Sequence, residues 1–133
     1  MKKSLTIITI LILTTILASC ASNPGENVKN TYEQISAEEA KEIMDQQSGY
    51  IILDVRTKEE YDQGHIPNAV LLPNETIGTS KIDLLSDKDQ MILVYCRSGN
   101  RSKQAASKLV NLGYTNIYEF GGIIDWPYDI VTD

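Results

Sequence analysis

The sequence predicts an α/β fold in which a central parallel sheet is flanked by helices in three layers. Three observations predict it. Two nearly continuous apolar runs, Tyr50-Ile51-Ile52-Leu53-Asp54-Val55 and Met91-Ile92-Leu93-Val94-Tyr95, have the pattern of strands buried on both faces. Two capping boxes, Ser36-Ala37-Glu38-Glu39 and Thr57-Lys58-Glu59-Glu60, announce helices. Strand and helix signals then alternate along the chain, which implies parallel pairing with crossover helices.

The elements follow in order. Tyr32 to Ile35 is a short edge strand, and Ser36 opens a helix whose apolar face is Ala40, Ile43 and Met44. Ser48-Gly49 ends it before the first apolar strand. Thr57 opens a second, short helix that stops around Gly64. Ala69 to Leu72 is a strand closed by Pro73, and Ile77 to Leu85 is expected to be helical. The second apolar strand leads to a helix from Ser102 to Leu112, with Ala105, Ala106, Leu109 and Leu112 inward and Gly113 at its end. Asn116 to Tyr118 is a last short strand. In such sheets ligands sit beyond the carboxyl ends of the strands. Both Cys96 and the stretch Asp54-Val55-Arg56 lie at such ends.

The first residues have another purpose. Met1-Lys2-Lys3 precedes an uncharged run from Ser4 to Ala18, shorter than the ~20 residues of a membrane span. Leu17-Ala18-Ser19-Cys20 resembles the lipobox of bacterial lipoproteins, which implies lipidation of Cys20 and removal of residues 1–19. Residues 20–30 then form a polar tether, and the domain occupies 31–133. Loss of Lys2 and Lys3 would leave 10 basic and 18 acidic side chains, taking the formal charge from −6 to −8. Such a chain repels phosphate backbones, so nucleic acid is excluded as a partner, and membrane attachment must come from lipid. The expected location is extracytoplasmic, on a membrane. The chain has two cysteines; with Cys20 acylated, Cys96 has no disulfide partner. The only histidine, His65, reads as a turn residue in Gly64-His65-Ile66-Pro67, and no metal-ligand cluster is visible. A short single domain is compatible with a monomer.

The chemistry concentrates in Cys96-Arg97-Ser98-Gly99-Asn100-Arg101-Ser102, which leaves a buried strand and turns into a helix. Its backbone N–H groups can converge on one point, backed by the helix dipole. Gly99 permits the backbone to curl, and a thiol at the centre of that cradle should ionise more readily than a free one. Arg97 and Arg101 add positive charge, and Ser98 and Ser102 are candidate helix caps and hydrogen-bond donors to sulfur.

Several segments in order resemble the rhodanese family: Asp54-Val55-Arg56, Glu60-Tyr61, Gly64-His65-Ile66-Pro67-Asn68-Ala69, the Cys96 loop, Gly121-Gly122 and Trp126. The resemblance covers about residues 31–130. It implies a rhodanese-like fold and transfer of sulfane sulfur without a cofactor. By position, Cys96 becomes the nucleophile and persulfide carrier. The loop amides from Arg97 to Ser102 would hold the terminal sulfur, and Arg101 and Arg97 would attract an anionic donor such as thiosulfate. The acceptor would be a thiol or a cyanide-like ion. Asp54 and Arg56 read as a structural ion pair or loop tethers. Gly121-Gly122 is expected to bring backbone close to the loop, and Trp126 to cover core. Asn68 stands where glycine is usual, and asparagine tolerates left-handed geometry.

Two rivals are open to discrimination. Cysteine-dependent phosphatases and arsenate reductases place five residues between cysteine and arginine, whereas four separate Cys96 from Arg101 here. The smaller cradle suits one sulfur better than a tetrahedral oxyanion. A sulfur carrier or interaction module without turnover is the other alternative.

Overall fold

The computed structural model describes residues 31–78 and 82–133. Five strands, β1 (Glu33–Gln34), β2 (Tyr50–Asp54), β3 (Val70–Leu71), β4 (Met91–Cys96) and β5 (Ile117–Gly122), form one sheet in the order β1-β5-β4-β2-β3. Every pairing in it is parallel. The three α-helices are α1 (Ala37–Gln46), α2 (Lys58–Asp62) and α3 (Asn100–Asn111). The expected leader and tether, including Cys20, lie outside the described residues.

The period of two along each strand divides the core. Leu53, Val55, Ile92, Val94, Cys96 and Ile117 point to one face, where Ala105, Ala106 and Leu109 of α3 cover them. Ile52, Leu93, Tyr95 and Phe120 point to the other, against Ala40 of α1, Tyr61 of α2 and Trp126. Both capping boxes form: the Glu39 amide donates to Ser36 Oγ and the Glu60 amide to Thr57 Oγ1, with the glutamate side chains accepting from the cap amides in return.

Three boundaries differ from expectation. The stretch Ile77 to Leu85 is not a helix over its described residues. Short 3₁₀ turns occupy Asn74–Thr76 and Asp83–Leu85, with Ile77 extended and Gly78 at φ 102° between them. Periodic Ile77, Ile82 and Leu85 instead plug into the core beneath α3, and a left-handed glycine stops helix propagation. Helix α3 begins at Asn100, two residues earlier than its apolar stripe indicates, because the turn at Gly99 already aims the backbone along the helix. Strand β5 runs on to Gly122, with a register shift opposite Val94 and Cys96.

Candidate active site

Cys96 ends β4 with its side chain on the α3 face, and only 1% of the residue is exposed. Gly99, at φ 101°, is the N-cap of α3, and no side chain caps the helix. Neither Ser98 nor Ser102 therefore serves as the cap that the sequence suggested. The turn instead aims amides at sulfur: the Gly99 N–H donates to Sγ across 3.0 Å. Burial pushes the thiol pKa up. The Ser102 hydroxyl and the amides of Ser102, Gly99 and Ser98 outweigh it and hold the thiol below its ordinary value.

The floor of the loop is β5. A β-carbon on Gly122 would overlap the carbonyl oxygen of Arg97 and the α-carbon of Ser98, so only glycine lets the strand approach this closely. The Ile124 amide donates to the Arg97 carbonyl at 3.2 Å and holds the loop from below.

The two loop arginines have different surroundings. Arg101 makes a bidentate bridge to Glu60, Nη1 to Oε2 at 2.7 Å and Nη2 to Oε1 at 2.8 Å. Those hydrogen bonds draw the Glu60 carboxyl down to about 2. Much of the Arg101 charge is thus committed to a carboxylate that also caps α2. Arg97 is exposed and enters no ion pair among the described residues. It lines a cavity of about 290 Å³ together with Arg56, Glu60, Gln63, Ile123 and Ile130. Asn100 is an exposed first residue of α3.

Asp54 and Arg56 share the rim with Cys96 but work on the opposite face. Asp54 is fully buried, and accepts from Arg56 Nη2 at 2.7 Å and from the Tyr95 hydroxyl at 2.5 Å. Arg56 also donates to the Gly64 carbonyl at 2.7 Å, and Tyr95 Oη accepts from the Ile66 amide at 3.1 Å. The network ties the segment after α2 to the ends of β2 and β4. His65 stands apart. Its ring stacks on Tyr61, its Nδ1 lies 3.0 Å from the Tyr61 carbonyl, and its backbone bridges Val131 of the C-terminal segment. Asn68 adopts φ 65°, the left-handed geometry its position called for.

Sequence reasoning missed two acidic partners. Glu60 was legible as a cap and as part of the family resemblance but not as the partner of Arg101, since nothing in a linear sequence pairs residues 60 and 101. Glu119 is 3% exposed beneath the loop, with Oε1 2.6 Å from Ser102 Oγ and 2.8 Å from the Gly121 amide. Its one signal is a carboxylate in phase with inward-facing Ile117.

The profile of the rhodanese-like domain matches residues 36–127. The chain belongs to this family. A sulfurtransferase of Allochromatium vinosum is 35% identical over 94 residues, covering 70% of this chain and 86% of that protein. A tRNA uridine(34) hydroxylase of Pectobacterium atrosepticum is 29% identical over 116 residues, 84% of this chain but 32% of that longer protein. Among solved structures, a rhodanese-related protein from Thermoplasma volcanium superposes with a TM-score of 0.64 at 30% identity, covering 77% of this chain and all of that one. The rhodanese-like fold places the Cys96 loop at the carboxyl rim of the sheet. A larger hollow of about 460 Å³, lined by Lys41, Met44, Asp45, Tyr50, Ile52 and Trp126 among others, lies on the α1 face, away from Cys96.

Proposed function

We propose that this rhodanese-like domain is a sulfurtransferase that moves sulfane sulfur through a persulfide on Cys96. One observation carries the reading: the Cys96 thiol is almost wholly buried, yet converging amides and a hydroxyl favour its anion. A merely structural cysteine would have apolar neighbours and a raised pKa. In the proposed cycle the thiolate attacks the outer sulfur of a donor such as thiosulfate. The donor S–S bond breaks and sulfite leaves with its electron pair. A thiol or cyanide-like acceptor then attacks the terminal sulfur and regenerates the thiolate. Arg97, exposed and lining the cavity beside the loop, is the cation available to draw the anionic donor in. Arg101, bridged to Glu60, serves chiefly to brace the loop against α2.

Wild-type protein incubated with thiosulfate should gain the mass of one sulfur at Cys96 and transfer it to cyanide. Cys96→Ser should do neither. An unmodified wild-type mass without cyanide turnover would sink the proposal. An adduct without turnover would favour the carrier reading, and aryl phosphate hydrolysis by wild type but not Cys96→Ser would favour a phosphatase.

The same proposal extends to location. Leu17-Ala18-Ser19-Cys20 supports a lipid anchor at Cys20 that holds the domain, as a monomer, on the outer side of a membrane. Detergent-phase partitioning of wild type, lost in Cys20→Ala, is the expected result. Equal partitioning of the two would refute it.

A further inference from the structure

Uptake of sulfur from a donor leaves one part of the site without a task. Beside the loop lies the cavity of about 290 Å³, and Ile123, Ile124 and Ile130 are among the side chains lining it. Thiosulfate is small and polar on every face, so apolar walls give it nothing. Single exposed isoleucines are ordinary on a protein surface. Here Ile124 is 59% exposed and Ile130 55%, they come from separate segments, and they share one cavity with Arg97, the residue next to Cys96.

Both walls are fixed in place. The Ile124 amide donates to the Arg97 carbonyl at 3.2 Å, which clamps that wall to the loop. Ile130 is held by its neighbour Val131, whose backbone exchanges hydrogen bonds of 2.8 and 2.9 Å with His65. Its Cδ1 stands over Gly64, where a β-carbon would come within 3.3 Å. The other charges around the cavity are committed: Arg56 is bridged to the buried Asp54, and Glu60 to Arg101. Arg97 has no ion-pair partner among the described residues, so the cavity presents a free cation in a chain of formal charge −6. A hollow of that size stands at the lower end of small-molecule sites, about 300–1,000 Å³. A folded partner would instead need a face of about 800 Å².

We propose that this cavity binds the sulfur acceptor, and that the acceptor is a small organic thiol with an aliphatic body and an anionic group such as a carboxylate. The inference rests on the sulfurtransferase reading and names the acceptor class for that site. Because sulfur waits on Cys96 as a covalent persulfide, sulfite leaves before the acceptor arrives. Arg97 can therefore serve donor and acceptor in turn. The aliphatic body covers Ile123, Ile124 and Ile130, and the anion meets the guanidinium. The acceptor's sulfur then attacks the outer sulfur of the persulfide anion. The Sγ–S bond breaks, and its electron pair returns to Sγ as the thiolate. The acceptor leaves as an organic persulfide that keeps the thiol's proton, so no further oxidant or reductant enters.

The test loads full-chain protein with thiosulfate, removes the excess, and follows loss of the Cys96 sulfur by mass spectrometry at matched acceptor concentrations. Mercaptohexanoate combines aliphatic body and anion, mercaptohexanol lacks the anion, and mercaptopropionate lacks most of the body. Mercaptohexanoate should discharge the persulfide fastest, with both of the others behind it. Ile130→Thr alters an exposed side chain and should lower the rate ratio of mercaptohexanoate to cyanide about tenfold, the lower end of the effect of a lost apolar group in a pocket. Arg97→Gln should remove the preference for mercaptohexanoate over mercaptohexanol, up to about fivefold at low salt and less as salt is added. Binding is read separately in Cys96→Ser. There mercaptohexanoate should shift the methyl resonances of Ile123, Ile124 and Ile130 and leave the fully buried Ile92 unmoved. Equal rates for the three thiols, an unchanged ratio in Ile130→Thr, or the absence of methyl shifts would overturn the proposal. So would faster discharge by a neutral cysteine peptide, which would assign the face to a polypeptide. Failure of thiosulfate to load Cys96 would overturn the sulfurtransferase reading and the acceptor role with it, whatever the methyl titration showed. Loaded protein that passes sulfur to cyanide but ignores chain length and charge would overturn this inference alone.

Discussion

Replacing Glu60 by glutamine removes one charge from the bridge to Arg101 while keeping an oxygen that can cap α2. Its cost can be worked from the geometry. The carboxyl falls from an ordinary 4.5 to about 2, chiefly through its hydrogen bonds to Arg101. At about 1.36 kcal/mol per pH unit, that sets a ceiling of roughly 3 kcal/mol on its contribution at neutral pH. Both side chains are 27% exposed, so solvent screens the pair, and its hydrogen bonds to Thr57 partly survive in glutamine. The expected loss for Glu60→Gln is about 1–2 kcal/mol. The sign of the pH dependence follows from the direction of the shift. A carboxyl depressed in the fold stabilises above its unfolded value and loses that contribution as pH falls through its folded value. The stability gap between wild type and Glu60→Gln should therefore be full at pH 7 and close between about pH 4.5 and 2. Urea unfolding at a series of pH values measures it, and a double-mutant cycle with Arg101→Gln isolates the pair. A gap that stays constant down to pH 2 would refute the reasoning, because the loss would then owe nothing to the Glu60 charge.

Three more outcomes follow from the packing. Tyr95→Phe leaves the buried Ile66 amide without its acceptor while Asp54 keeps Arg56, and should cost about 1–3 kcal/mol in denaturant unfolding; a loss below ~0.5 kcal/mol would show that the network relaxes freely. Leu109→Ala opens the α3 face of the core and should cost about 2–5 kcal/mol, measured by the same method. Gly122→Ala forces the Arg97–Ser98 backbone off the strand, so thiol alkylation and sulfur uptake should both change sharply; wild-type values for both would show that the close approach is dispensable.

The fold was legible where local chemistry and tertiary demand agree. The apolar runs at Tyr50 and Met91 could be little but buried strands, and Ser36 and Thr57 with their glutamates could be little but helix starts. Failure came where one pattern has two explanations. Ile77, Ile82 and Leu85 have helical spacing, yet they are separate plugs from an irregular segment, and periodicity alone does not separate the two. The candidate site divides in the same way. Cys96 and its amide cradle are contiguous, so spacing exposes them. Arg101 reads as a free cation until Glu60 is seen 41 residues away, and Glu119 falls just past the expected end of the last strand at Tyr118, so little marks it until Ser102 is seen above it.

The burial of Cys96 also decides which oxidations are open to it. A disulfide needs its two α-carbons within about 7 Å of each other. Two copies of this domain, each with sulfur sunk below its own loop, cannot meet that requirement while both loops stay folded. The loop is thus a size filter on redox chemistry. A second folded chain bringing its own buried cysteine cannot reach the thiol, so any oxidant of it must be small enough to enter the loop. An unpaired cysteine placed in this way does not form the dimers that exposed thiols form.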